Sequence, residues 1–447
     1  MPSLQPPDAD IDFESLPWNV NCSEKSHIVV CTTKKDWKEG EHYNVNYATA
    51  INQEVQCIKT TPYTGFPDIF PSCTSLNYGT TVWEGLKVFR TSKQRAVVFR
   101  PDKNYDRMSN GAQAMLLPVP PREMWFKQLQ TVIRENSTLI PPCGEGMKLY
   151  VRPILFGSGQ QLGLYPSPQF TLAMYVAPTG NYFKSATSGL KLHLEKHHAR
   201  ATRGGFGSVK CSGNYAVCLL PLSKTKEKGF SDNMYVELDS FHAGKEIHKH
   251  DTKTALLNSI VQEMSAANVF FVQKAKKRIL TPSLKRKTIL PGVTRDSVIQ
   301  IVKAYNEEIA AALFTAPELD EIKEKEGGKF PVIEMLETDV QVADIADCSE
   351  AFGTGTAAEL VPIKEFAEYL NSEDVEEGLS IATMSGSGRL RSFSICFWFC
   401  KMCWNQCTQG IISTSSAEAS PSFLDSAAEK LTTVGIVLPN PDMLVYP

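Results

Sequence analysis

The stretch GFGSVKCSGNYA, 205–216, sets one lysine, Lys210, among glycines and small residues. A lysine whose amine is desolvated or crowded by another cation loses its proton readily, and the neutral amine attacks carbonyls. Glycines on both sides would let a carbonyl-bearing ring come close to the backbone. A loop lysine is more ordinarily there for solubility. The chemical reading therefore depends on finding its partners.

If the carbonyl belongs to pyridoxal phosphate, three demands follow. An acid must pair with the pyridine nitrogen so that the ring can act as an electron sink. The phosphate needs an arginine and a helix N-terminus or backbone nest. The substrate carboxylate needs an anchor. Glu263 in QEMSAANVFF precedes a strand-like apolar run and is a candidate acid, although a surface glutamate at a strand end reads the same way. Gly292–Val293–Thr294 offers free N–H groups at a helix start, and GTGTAA at 353–358 offers a second nest or a plain loop. Arg107 in NYDRMSNGA is one arginine of many. Other chemistries lack their motifs: there is no G-x-x-x-x-G-K-[ST] around Lys210, no G-x-S-x-G elbow and no G-x-G-x-x-G between a strand and a helix.

These residues need elements to carry them. VVFRP (97–101), KLYVRPILFGSG (148–159) and FTLAMYVAP (170–178) read as strands closed by Pro or Gly. EMWFKQLQTVIREN predicts a helix around 123–137, with Trp125, Leu129, Val132 and Ile133 at helical spacing. The polar segment 177–189 reads as a linker. Beyond it, strand-like MYVEL, NVFFVQ and FPVIEML alternate with helices. The clearest helix begins at Thr294 as N-cap and sets Val298, Ile301, Val302 and Tyr305 on one face. The expected organisation is a smaller N-terminal domain over 1–178, a linker over 179–189, a larger cofactor-binding domain over 190–388 and a divergent segment over 389–447.

The chain has 447 residues, 42% hydrophobic and 21% charged, with a net charge of −3. Near-neutrality gives no electrostatic reason to expect nucleic acid or an anionic membrane as partner. The basic stretches 275–278 and 284–287 read as solvated faces. No apolar run approaches the ~18 residues a membrane span requires. The N-terminal MPSLQPPDADIDFESL is acidic and lacks Lys and Arg, which argues against a signal or transit peptide and for a cytoplasmic location. Of twelve cysteines, Cys396, Cys400, Cys403 and Cys407 lie close in sequence, but C-x3-C-x2-C-x3-C matches no usual zinc spacing. His193, His197 and His198, like His248 and His250, read as solvated, and no metal is expected.

Taken in order, LNYGTTVWEGLKVFR (76–90), FRPDKNYDRM (99–108), LYVRPILFGSG (149–159), GGFGSVKCSGNYA (204–216), EMSAANVFF (263–271), ILPGVTRDSVI (289–299) and FGTGTAAELVPI (352–363) resemble the branched-chain-amino-acid aminotransferases. The resemblance implies an α+β two-domain fold-type IV pyridoxal-phosphate enzyme, its larger domain built on a mixed, barrel-like sheet. It implies that Lys210 holds the cofactor and moves the substrate proton, that Tyr215 reaches the ring hydroxyl, and that Glu263 pairs with the pyridine nitrogen. Arg107, the backbone of Val293 and Thr294 and the hydroxyl of Thr356 would bind phosphate, with Arg200 assisting. Tyr78, Trp83, Tyr150 and Arg152 would line the substrate pocket, and Thr356–Ala357–Ala358 would meet the substrate carboxylate. The implied reaction is ping-pong transfer from leucine, isoleucine or valine to 2-oxoglutarate, in a homodimer whose partner subunit completes the pocket wall.

Three departures stand out. The C-x-x-C of some animal members is absent, with Ala358 and Val361 in its place. The segment before Glu263, from 239, is longer than the usual connection. The C-terminal helix and closing strand of the family are not evident in 389–447. D-amino-acid aminotransferases and aminodeoxychorismate lyases share the lysine and glutamate, and the altered C-terminus also suits a non-catalytic relative.

Overall fold

The computed structural model describes residues 4–16, 27–33, 41–44, 71–91, 94–144, 147–180, 189–237, 252–368 and 379–383. The Cys396–Cys407 cluster, His248, His250, most of the 179–189 linker, the longer connection up to 251 and all of 389–447 lie outside the described residues. The described chain forms two compact units. One holds the residues up to Gly180 together with Val209–Ser212, and the other holds the rest.

The first unit is an antiparallel sheet of β1 (His27–Thr33), β2 (Glu41–Asn44), β3 (Thr81–Trp83), β4 (Leu86–Arg90), β5 (Ala96–Val98), β6 (Lys148–Gly157) and β7 (Phe170–Thr179). Its order is β2-β1-β7-β6-β4-β5, with β3 also paired to β6. β3 and β4 keep one register against β6, Trp83 facing Ile154 and Leu86 facing Val151. They are one strand interrupted at Glu84–Gly85. The break has a cause in β6: Glu84 N–H donates to the Pro153 carbonyl at 2.8 Å, and proline has no N–H to return.

Strand alternation then sorts the side chains. Val82, Leu86 and Val88 are buried in a core that includes Met108 and Ala112 of the helix Pro101–Ala114. The same core takes Trp125, Leu129, Val132 and Ile133 from the helix Arg122–Glu135, all fully buried as their spacing requires. Pro101 begins a helix rather than ending a strand, because proline suits the first helical turn.

The second unit is a mixed sheet of β8 (Leu190–Glu195), β9 (Asp232–Glu237), β10 (Ile260–Met264), β11 (Asn268–Gln273), β12 (Arg278–Pro282), β13 (Glu334–Thr338), β14 (Glu350–Gly355), β15 (Glu359–Glu368) and β16 (Leu379–Thr383). Its order is β10-β9-β8-β15-β14-β11-β12-β13, with β16 on β15. The pairs β8–β9, β8–β15 and β12–β13 are parallel and the others antiparallel. β10 and β11 are buried along their whole length, which is why both read as near-continuous apolar runs.

Several expectations need correction. The helix predicted from Thr294 spans Val293–Ala304 with Gly292 as N-cap and no side-chain cap, so Thr294 is already inside it. Of FPVIEML only the end is strand, in β13. His193 is buried within β8 against the Phe230 ring rather than solvated, since strand alternation turns it inward. The basic stretches carry ion partners: Lys274 meets Glu318 at 2.7 Å and Arg286 meets Asp339 at 2.6 Å.

Candidate active site

The catalytic-lysine candidate is fixed by edge pairing. Trp83 N–H donates to the Lys210 carbonyl at 3.1 Å, Ser212 N–H donates to the Thr81 carbonyl at 3.3 Å, and Val82 and Cys211 form an antiparallel bridge between them. The Lys210 ammonium consequently lies 3.9 Å from the centroid of the Trp83 ring. The Arg152 guanidinium stands 4.1 Å from the same ring, and its Nη2 donates to the Tyr150 hydroxyl at 3.1 Å. Tyr150 and Arg152, two apart on β6, share a face of the sheet with Trp83 and Gly85. Gly85 is required there, because a Cβ at that position would stand 1.9 Å from the Tyr150 hydroxyl. Tyr78 is more exposed and donates to the Leu162 carbonyl.

Arg107 is on the other face of this sheet, at the carboxylate of Glu84. The guanidinium grips it through Nε to Oε1 at 2.7 Å and Nη2 to Oε2 at 2.7 Å, with both side chains buried.

In the second unit Glu263 lies within β10, not ahead of a strand. The pairing of β10 with β9 shifts register between Val261 and Met264, a bulge that re-aims the intervening Gln262 and Glu263. Glu263 Oε1 accepts the Leu290 N–H at 2.9 Å and lies 2.6 Å from Arg200 Nη1. Its Oε2 accepts Asn268 Nδ2 at 2.6 Å. Asn268 also donates to the Leu290 carbonyl at 2.9 Å. Gln262 donates to the Ala201 carbonyl at 3.0 Å, which ties the Arg200 loop to the same strand.

Donors and a guanidinium around a buried carboxylate favour its ionised form. Burial alone would lower the Arg200 pKa, but Glu263, helped by Tyr215, outweighs it and the net shift is upward. Sequence reasoning set Arg200 near a phosphate; here it faces the acid. Asn268 carried no signal, because an asparagine opening a strand reads as a turn residue.

The same asparagine reaches the helix start. A Cβ on Gly292 would lie 2.0 Å from Asn268 Oδ1, so only glycine fits at this N-cap. The first hydrogen bond of that helix is Asp296 N–H to the Gly292 carbonyl, which leaves the N–H groups of Val293, Thr294 and Arg295 pointing out of the helix end. Asn268 pairs with Thr354 across β11 and β14, and the Thr356–Ala358 turn follows two residues later. The Thr354 hydroxyl is buried with no hydrogen-bond partner among the described residues.

A buried, fully coordinated carboxylate tied to an open helix N-terminus suits a group-transfer enzyme that holds an anionic cofactor. Among the described residues no cluster of His, Cys, Asp or Glu could hold a metal, and no helix is long and apolar enough to cross a membrane.

The comparisons agree with that class. The amino-transferase class IV family model matches residues 81–325. The chain is 31% identical over 355 residues to branched-chain-amino-acid aminotransferase 2, chloroplastic, of Arabidopsis thaliana, covering 79% of this chain and 74% of that protein. It is 33% identical to the chloroplastic branched-chain amino acid aminotransferase 2 of Humulus lupulus, over 83% of this chain and 74% of that protein. Among solved structures, the branched-chain aminotransferase of the archaeon Thermoproteus uzoniensis with norvaline shares the fold at TM-score 0.53 and 22% identity, over 76% of this chain and 90% of that one. A bacterial-type likeness at TM-score 0.56 and 18% identity, over 87% of this chain and 95% of that one, is to a branched-chain amino acid aminotransferase from T.th. with pyridoxamine 5′-phosphate. The chain belongs to the class IV aminotransferases, and the relatives it resembles over most of its length are branched-chain-amino-acid aminotransferases.

Proposed function

We propose that the protein is a pyridoxal-phosphate-dependent branched-chain-amino-acid aminotransferase. It transfers the amino group of leucine, isoleucine or valine to 2-oxoglutarate by ping-pong chemistry, in a homodimer. The observation that carries this reading is the buried Glu263 carboxylate, joined through Asn268 to an uncapped helix N-terminus. These residues fit the cofactor's needs: a fixed anion for the pyridine nitrogen and free backbone donors for its phosphate.

The cofactor, when bound, supplies the electron sink for the substrate carbanion. Lys210 anchors it and carries the proton between the substrate α-carbon and the cofactor's C4′. Glu263 holds the ring nitrogen, and Arg200 keeps that carboxylate oriented. Tyr215 reaches the ring hydroxyl. Val293 and Thr294 N–H groups, the Thr356 hydroxyl and Arg107 bind the phosphate. Trp83, Tyr78, Tyr150 and Arg152 line the substrate pocket, an aromatic wall beside a cationic anchor, which suits both an aliphatic and an acidic side chain. Thr356–Ala357–Ala358 receives the substrate carboxylate. The acidic N-terminal residues are the ground for a cytoplasmic location, and a full-length fluorescent fusion tests it.

The purified chain with added cofactor should show the visible absorption band of a lysine-bound form, and leucine should bleach it. A panel of leucine, isoleucine, valine, methionine and D-alanine reads the substrate class. Lys210→Ala should lose both band and turnover. A band that leucine leaves unchanged, or turnover surviving in Lys210→Ala, overturns the assignment.

A further inference from the structure

Glu84 has no role in the reading above, yet it is completely buried, in a row where its strand neighbours Val82 and Leu86 are apolar. A carboxylate in that position is costly unless matched. Its match is elaborate. Oε1 accepts Arg107 Nε at 2.7 Å; Oε2 accepts Arg107 Nη2 at 2.7 Å, Asn104 Nδ2 at 2.8 Å and Gly85 N–H at 3.3 Å. Asn104 and Arg107 lie three apart on the helix Pro101–Ala114, so one helix face closes on one carboxylate. Asn104 also donates to the Gly85 carbonyl at 3.3 Å, clamping the helix to the strand break. The backbone of Glu84 is held in turn by the Pro153 carbonyl.

We propose that Glu84 is a positioning residue for cofactor phosphate recognition: its bidentate grip fixes the plane and reach of the Arg107 guanidinium. The inference rests on Arg107 being the phosphate arginine. A guanidinium held along its Nε–Nη2 edge has one orientation, and its Nη1 corner is set by that edge. Preorganisation of this kind spares the ordering cost when an anion binds. The opposing effect is electrostatic, because an anion beside Arg107 weakens its pull on phosphate. The two effects predict opposite signs for the same substitution.

Glu84→Gln keeps the shape and tests this. Its amide oxygen can serve the three donors at Oε2 or the single donor at Oε1, and its NH₂ then opposes an Arg107 N–H. The fork is left with one bond instead of two. Affinities of the full-length apoprotein for pyridoxal phosphate and for pyridoxal, which lacks the phosphate, are measured by fluorescence quenching. Positioning predicts that Glu84→Gln loses about tenfold in the preference for the phosphorylated form, with pyridoxal affinity unchanged, as expected for a hydrogen bond to a charged group. Glu84→Asp, which keeps the charge but shortens the arm, should lose preference too.

A preference that is unchanged or increased in Glu84→Gln overturns the proposal, as does an equal loss for both ligands, the mark of a structural role. A full preference retained by Glu84→Asp does so as well. Arg107→Lys separates the premise. If it keeps the wild-type preference, Arg107 is not the phosphate arginine; if it loses the preference while Glu84→Gln does not, only the positioning role fails.

Discussion

Replacing Glu263 by glutamine should be among the most damaging isosteric changes in the second unit. The carboxylate accepts from Leu290 N–H and Asn268 Nδ2 and faces Arg200 at 2.6 Å, with both charged side chains buried. Glutamine keeps one acceptor and adds two donors. If its oxygen stays with Leu290 and Arg200, its NH₂ confronts the Asn268 amide. Asn268 cannot turn over freely, since its Nδ2 also donates to the Leu290 carbonyl. Either arrangement leaves a buried donor unmatched, at about 1–3 kcal/mol. The larger loss is charge: Arg200 keeps a buried cation whose anion is gone, and its Nε already lacks a hydrogen-bond partner among the described residues.

Breaking a buried pair from one side costs about 3–5 kcal/mol. Urea unfolding of the full chain gives that cost from the transition midpoint. Exchange of the Leu290 amide reports it locally, with ~100-fold or more acceleration if the loss stays in this network. In an Arg200→Met background the same substitution should cost about 2 kcal/mol less, because no cation is stranded. A Glu263→Gln cost below about 1 kcal/mol, or one equal in both backgrounds, would refute the reasoning.

Asp232 supplies a pH-dependent test. Burial raises its pKa above the ordinary aspartate value to about 6, against the opposing bonds from Ser265 Oγ at 2.5 Å and Asn233 N–H at 2.7 Å. A carboxyl more easily protonated in the folded chain contributes stability that is complete below about pH 4 and lost as pH rises through about 6. Asp232→Asn should remove that loss, so the stability of the variant relative to wild type rises across this window by on the order of 3 kcal/mol. Parallel urea titrations at several pH values check it, and parallel pH profiles would count against it. In the other unit, Gly85→Ala should push the Tyr150 hydroxyl off its position and raise KM for the amino acid about tenfold while leaving pyridoxal phosphate affinity unchanged. Steady-state kinetics beside a cofactor titration decide this, and an unaltered KM would show that Tyr150 does not line the pocket.

Much of the scaffold was legible along the chain because local patterns carry it. Helical spacing marked Trp125, Leu129, Val132 and Ile133, and all four are buried. The apolar run NVFFVQ coincides with β11. The errors fell where a neighbouring element overrides local preference. Thr294 is a good capping residue, yet Gly292 takes the cap because Asn268, brought over from β11, leaves no space for a side chain there. His193 reads as polar surface, but its position in β8 turns it against Phe230.

By itself the sequence determined which residue types are present for the chemistry: one lysine among glycines, an acid beside an apolar run, arginines, and two stretches rich in free backbone donors. It also ordered them in a series that resembles one family. Only the tertiary structure decided the pairings. It put Arg200 on Glu263 and Arg107 on Glu84, and it brought in Asn268 and Asn104, which no motif singled out. The physical reason is that a buried charge must be met by whatever donors the surrounding strands and helices bring within reach. Those donors come from residues 63, 23, 20 and 5 positions away, separations at which one-dimensional spacing carries no information about distance.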